Sequence, residues 1–146
     1  MNRRDELLAL EDKGWHELCS SFDRLAGDDW TRAGVNGEWS PKDLLAHIAV
    51  WHALCTDRLE TLRVTGTVPP LPAEVDTIND EQYERSRDLT VKEVRAMSGA
   101  SRHRFREELS QLSGDPGDHV AQMIVGDGSG HYEVHMPQLR AFLGES

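Results

Sequence analysis

The strongest constraint on the fold is a helix start signal followed by a long apolar stripe. Ser40 precedes Pro41, and Asp43 follows three residues after the serine. Serine and an acidic residue three positions later can accept hydrogen bonds from the free amides at a helix N-terminus. Proline suits the first helical position, because no amide hydrogen is needed there. Apolar residues then recur at helical spacing: Leu44, Ile48, Trp51, Cys55, Leu59 and Leu62. The pattern predicts a helix that continues to about Val64, before Gly66.

Three further segments show helical signals. The first covers residues 3–26, and the second covers residues 90–112 and opens with a capping box. The third is expected over residues 130–143. Pro137 lies inside it, and because proline removes a backbone hydrogen bond, either the helix bends there or His131 and His135 are not on a continuous helix; the bend is the expectation, since both histidines precede it.

The connections are long and differ in character. Residues 28–38 show no periodicity and form a loop, and the prolines within residues 65–79 exclude a regular helix or a central strand. Residues 80–88 could form a short helix, whereas residues 120–125 could be a turn of helix or a strand. Four helical segments with long crossovers predict an all-α bundle, in one domain over residues 1–146.

Charge and hydropathy exclude some classes of function. The formal net charge of −10 argues against nucleic-acid binding and against an anionic membrane, since both require a basic face. No apolar run approaches the ~20 residues of a membrane span, and the first residues lead into an acidic amphipathic segment, so a cytoplasmic protein is expected. Cys19 and Cys55 fit reduced thiols better than a disulfide framework.

Three histidines are the candidates for a metal site. His131 and His135 lie four residues apart, so on a helix they share one face and can bind one metal ion. His47, on the apolar helix beside Trp51, is the best-placed third ligand. Neutral imidazoles suit zinc, nickel, copper or iron, and a fourth, open position could activate a water or bind a substrate thiolate.

Several alternatives accompany this site. A His-x3-His pair is weak evidence by itself, because two solvated or core histidines often have this spacing. Another alternative is a structural metal site in which a fourth protein ligand fills the open position. His52 lies five residues after His47 and points away from it, so we expect it to be a surface or packing residue. We expect the remaining histidines to be solvated: His16, His103 and His119.

Four aromatic residues are candidates for a substrate pocket. Trp39, Trp51 and Tyr132 could line it, and Tyr83 could belong to a lid if the proline-rich loop folds over the site. Aromatic residues at helix contacts are more often core, which is the alternative. The chain carries no dinucleotide-binding or Walker pattern, so nucleotide cofactors are not indicated.

Three stretches carry a family resemblance. Residues 36–51, 78–90 and 130–135 resemble the DinB-like superfamily, and most closely its ClbS/DfsB branch. The resemblance spans nearly the whole chain in the same order. It implies a DinB-like four-helix bundle with a long crossover, in which one histidine of the second helix joins the pair on the last helix. In this sequence those metal ligands are His47, His131 and His135.

The same resemblance implies a function. Relatives include thiol-dependent S-transferases and isomerases that use mycothiol or bacillithiol, and the ClbS/DfsB branch resembles self-protection hydrolases that open an electrophilic cyclopropane. The expectation is therefore a zinc- or nickel-dependent transferase or hydrolase that acts on a small electrophile, as a monomer or homodimer. The alternative is a metal-free ClbS-like protein that sequesters a reactive small molecule.

Overall fold

The computed structural model describes residues 1–145, and the regular elements there are helical. The helices are α1 (Arg3–Phe22), α2 (Pro41–Thr65), α3 (Val75–Ser86), α4 (Val91–Ser110), α5 (Asp118–Asp127) and α6 (Ser129–Phe142), with a short 3-10 helix at Gly27–Thr31. The predicted all-α class is confirmed. None of the helices within residues 1–145 combines the length and hydropathy that crossing a membrane requires.

Helix α2 begins and ends where the sequence signals predict. The Ser40 hydroxyl accepts a hydrogen bond from the Asp43 amide at 3.2 Å, and the Ser40 amide donates to the Asp43 carboxylate at 2.9 Å. Pro41 occupies the first turn, where no amide is needed. Gly66 ends the helix in the left-handed region at φ 81°, which costs glycine nothing. These local interactions fix the 25-residue helix that carries His47.

Helices α2 and α4 run in the same direction. At one end, the Lys42 ammonium donates to two carbonyl oxygens just before α4, at 2.7 and 2.8 Å. At the other end, Arg63 donates to the Glu108 carboxylate at 2.7 Å. Because parallel neighbours cannot be joined by a short turn, the chain must return along the bundle between them. The segment 66–90, which contains α3, is this crossover.

Helix α1 runs with α6 and against α4. Glu11 bonds to Tyr132 and Arg24 pairs with Glu145, so residue numbers rise together along α1 and α6.

The apolar interior divides into two clusters. The proximal core lies along the first part of α2 and includes Leu18, Phe22, Trp30, Leu44, Ile48 and Leu139. The distal core lies along the later part of α2 and includes Leu7, Cys55, Leu59, Phe105, Leu109 and Ile124. The buried polar residues Glu11 and His52 lie between these clusters along α1 and α2.

Some predicted boundaries are wrong. Helix α3 begins at Val75 rather than at residue 80. No proline follows Pro72 to prevent the earlier start, and Ile78 and Gln82, one turn apart, are buried on the same face of the helix. Helix α1 ends at Phe22 rather than residue 26. The undecided segment 120–125 is helical, since its buried residues recur at helical spacing. Helix α6 continues through Pro137, which follows both histidines.

The N-terminal cap of α2 should contribute measurably to stability. Ser40→Ala removes the side-chain acceptor and should lower the free energy of unfolding by about 1 kcal/mol, as measured by urea denaturation. Ser20→Ala, at an exposed position within α1, is the matched control and should change stability by less than about 0.5 kcal/mol. Equal stability of the Ser40→Ala protein and the wild type would contradict the role of the cap.

Candidate metal centre

The three predicted histidines meet at the contact between α2 and α6. Nε2 of His131 lies 2.9 Å from Nε2 of His47 and 3.0 Å from Nε2 of His135. One ligand nitrogen from each residue falls within 4.8 Å of the other two. Within residues 1–145 this is the grouping of histidine, cysteine or carboxylate side chains that could hold a metal ion. The spatial grouping follows the prediction, while metal binding itself stays a prediction.

Helical geometry explains why these side chains converge. His131 and His135 are one turn apart on α6 and therefore project from the same face. His47 lies in the second turn of α2, on the face that is buried against the rest of the bundle. His47 and His135 retain only 6% and 5% of their accessible surface, so the packing of both helices restricts their rotamers.

Hydrogen bonding orients one of the three rings. Nδ1 of His135 lies 2.7 Å from Oε1 of Gln138. Because an amide oxygen only accepts, Nδ1 must carry the proton, and Nε2 then presents a lone pair to the cluster. Metal-bound histidines commonly have such a partner on the second nitrogen. Nδ1 of His47 and of His131 are buried without a hydrogen-bond partner.

Burial keeps the cluster uncharged. Desolvation, with a smaller contribution from His135, lowers the pKa of His47 to about 4. Desolvation and the neighbouring imidazoles lower the pKa of His131 to about 3, and desolvation also lowers the pKa of His135. At neutral pH all three side chains are therefore neutral, which is the form that binds metal ions.

The donor set fits a divalent transition-metal ion. Two nitrogens bound to zinc at about 2.0–2.1 Å and at a tetrahedral angle are separated by about 3.3 Å. The separations of 2.9 and 3.0 Å from His131 to the other two nitrogens are close to this value, and the nitrogens of His47 and His135 lie within 4.8 Å of each other. Three protein ligands are also the number typical of catalytic zinc sites, whereas structural sites use four.

Aromatic side chains surround His47. The ring centroids of Trp39 and Trp51 lie 4.9 and 6.4 Å from that of His47. The Trp51 indole donates to the Asn79 side chain at 2.9 Å, which ties α3 to α2 beside the cluster. Tyr83 is half-buried and lies one turn after Asn79 on α3. That these residues contact a substrate stays a prediction.

Tyr132 belongs to a buried polar network rather than to an open surface beside the triad. Its side chain is 1% exposed. The hydroxyl donates to the Glu11 carboxylate at 2.7 Å and lies 2.6 Å from Nε2 of His52. Arg102 binds the same carboxylate through two hydrogen bonds of 2.8 and 3.0 Å, and Arg106 adds one of 2.7 Å. The network therefore joins α1, α2, α4 and α6. Its substrate-lining role stays a prediction.

The sequence reasoning missed Glu11 and Arg102. A signal was available, because Glu11 lies at helical spacing from Leu7 and Leu18 and so places a charge on the apolar face of α1. His52 is fully buried and stacks on Phe105, with ring centroids 5.0 Å apart, so it is a packing residue. The histidines predicted to be solvated are exposed: His16, His103 and His119.

The helix arrangement and the three-histidine cluster define a helical-bundle protein with a candidate metal centre between its second and last helices. The sequence matches the DinB superfamily over residues 12–135, and the chain belongs to that superfamily.

Comparison with solved structures supports the same fold. A crystal structure of an uncharacterised protein from Escherichia coli UTI89 is similar, with a TM-score of 0.81 over 99% of this chain and 94% of that chain. The two sequences are 17% identical, so this likeness shows the shared fold alone. No curated protein matches the sequence.

The burial of His52 should make stability depend on pH. Desolvation lowers its pKa to about 4, whereas in the unfolded chain the pKa is about 6.5. Between these values only the unfolded chain takes up the proton, so the contribution is complete above pH ~6.5 and is lost as the pH falls towards ~4.

His52→Gln removes this titration. The stability advantage of the wild type over His52→Gln should shrink by roughly 2–3 kcal/mol between pH 7.5 and pH 4.5, as measured by urea denaturation at each pH. His103→Gln, at an exposed position, should leave the pH dependence unchanged. A difference between wild type and His52→Gln that is constant with pH would contradict the assignment.

Proposed function

We propose that this chain is a metal-dependent enzyme in which His47, His131 and His135 hold a divalent transition-metal ion, zinc or nickel by ligand type. The observation that carries the proposal is the grouping of three neutral imidazoles, two of them buried and that of His131 partly buried, with one ligand nitrogen of each within 4.8 Å of the others. Proteins of the DinB superfamily are often metal-binding, which supports it. The proposed reaction is thiol S-transfer to, or hydrolysis of, a small electrophilic molecule.

The residues of the chain have distinct roles in this proposal. A divalent ion held by three neutral ligands supplies Lewis acidity to a water or thiolate at an open fourth position. Gln138 orients the ring of His135 through Nδ1. Trp39 and Trp51 flank His47 and exclude water from one side of the cluster. The apolar faces of these indoles suit an uncharged electrophile.

The finer assignment is also a proposal. The resemblance of residues 36–51, 78–90 and 130–135 to the ClbS/DfsB branch supports a role in detoxification or self-protection. A low-molecular-weight thiol such as mycothiol or bacillithiol would then be the nucleophile, because a thiolate is a strong ligand and attacks electrophilic carbon readily.

A second candidate function is a metal-free protein that sequesters a reactive small molecule. The contacts of His131 favour it, because its Nε2 lies within hydrogen-bond distance of both His47 and His135. The N–H of His131 Nε2 can donate to only one of these two nitrogens, so in the absence of an ion a hydrogen bond can hold one pair of imidazoles together. In this case the aromatic surroundings would bind the molecule, and no turnover would be seen.

Metal content tests the proposal. The untagged wild type should contain about one equivalent of a transition metal by elemental analysis, since catalytic sites of this type hold one ion. His131→Ala/His135→Ala should contain none. The matched control is His103→Ala/His119→Ala, which removes two exposed histidines and should keep the metal.

Turnover separates the enzyme from the binding protein. Metal-loaded wild type should consume a thiol together with a model electrophile, and the variant without metal should not. A wild type that takes up no zinc or nickel on reconstitution would exclude the metal-dependent mechanism and favour sequestration. Full activity of His47→Ala would also contradict the proposed role of the triad.

A further inference from the structure

Tyr132 contacts two other helices directly through its hydroxyl and a third through Glu11. Its hydroxyl contacts Glu11 on α1 and His52 on α2, and Glu11 is in turn held by Arg102 and Arg106 on α4. Burial opposes ionisation of Glu11, but hydrogen bonds from Arg102, Tyr132 and Arg106 outweigh it and hold its pKa below the usual value. The hydroxyl of Tyr132 is therefore bound to a fixed, charged acceptor.

The tyrosine ring is also confined. A Cβ atom placed on Gly14 of α1 would lie 3.1 Å from Cδ2 of Tyr132, so any larger residue at this position would crowd the ring. Trp15 contacts the ring from the same helix, with centroids 5.6 Å apart. The position of Tyr132 is thus defined by contacts with both its hydroxyl and its ring.

This anchoring point is close to both histidines of α6. At 100° per residue, Tyr132 projects about 100° from His131 and about 60° from His135 around the helix. Whatever fixes Tyr132 also fixes the rotation of α6 and the directions of the two imidazoles. On α2, His52 and His47 contact Tyr132 and His131 respectively, so the two contacts set the register of α2 against α6 together.

We infer that Tyr132 is a positioning residue for the metal centre: its hydroxyl, clamped between Glu11 and His52, sets the rotation of α6 at which His131 and His135 face His47. This inference rests on the proposed metal-binding function. It assigns to the buried network a role in ligand geometry in addition to its role in packing.

Metal sites tolerate only small errors in ligand position, so a contact that fixes the rotation of α6 affects metal binding. Ligand distances must be correct to about 0.2 Å. The imidazole nitrogens lie about 5–6 Å from the helix axis, so a rotation of α6 by roughly 2° moves them by this amount. A short hydrogen bond to an ionised carboxylate resists a rotation of this size.

Tyr132→Phe tests the inference, because it removes one hydroxyl and keeps the ring. Cobalt(II) serves as the probe, with its dissociation constant measured by chelator competition and its visible absorption spectrum as a report of ligand geometry. We expect binding to be weakened by about 10–100-fold, as for other supporting residues of metal sites, with a changed spectrum. Leu109→Ala, in the distal core, is a control that loses stability while every hydrogen bond of the network is kept, and it should keep both properties.

Gly14→Ala is a second variant in case Tyr132→Phe fails to fold. It keeps the hydroxyl but pushes the ring of Tyr132, and alanine favours the α1 helix by about 1 kcal/mol, so the protein should remain folded. We expect weaker cobalt binding in the same direction. In crystals of metal-free protein, both variants should also increase the separation of Nε2 between His47 and His131 beyond 2.9 Å.

The outcomes separate this inference from the proposed function. If the wild type binds cobalt and folded variants bind it equally well with the same spectrum, the positioning role is wrong and the metal site stands. Equal weakening by Leu109→Ala would also overturn it, since the effect would then follow stability. If the wild type binds no cobalt, the proposed function fails, and with it the role of Tyr132 in metal geometry.

Discussion

The buried carboxylate of Glu11 is the interaction on which the arrangement of helices depends. A charge away from water is costly unless it is paired and hydrogen-bonded. Here Arg102, Arg106 and Tyr132 satisfy it with hydrogen bonds of 2.7 to 3.0 Å. Because these partners come from α4 and α6, helix α1 can satisfy its charge at one register only. Apolar packing drives the helices together, and this network selects how they align.

The same burial that stabilises the bundle prepares the histidines for chemistry. Desolvation lowers the pKa of each imidazole in the cluster, so no proton must be displaced at neutral pH before a metal ion can bind. This burial lowers the stability of the fold, because Nδ1 of His47 and Nδ1 of His131 are removed from water without a hydrogen-bond partner. A bound ion would not relieve this cost, since it uses the other nitrogen of each ring.

Local signals made part of this structure predictable. Ser40 and Gly66 gave the limits of α2, and the spacing of His131 and His135 with the family resemblance indicated the cluster. The start of α3 was not predictable, because burial of Ile78 and Gln82 decides it. The role of Tyr132 was also hidden. The position of Glu11 on the apolar face of α1 indicates that it is buried, but nothing near it in the sequence indicates that its partner is Tyr132, 121 positions later.

That sequence separation affects how the protein is made. A ribosome delivers α1, α2 and α4 before α6, so Glu11 and the two arginines can pair early while the tyrosine is still missing. Closing a loop of this length costs entropy that only the completed contact repays. A nascent chain that lacks α6 therefore contains His47 without the other two histidines of the cluster.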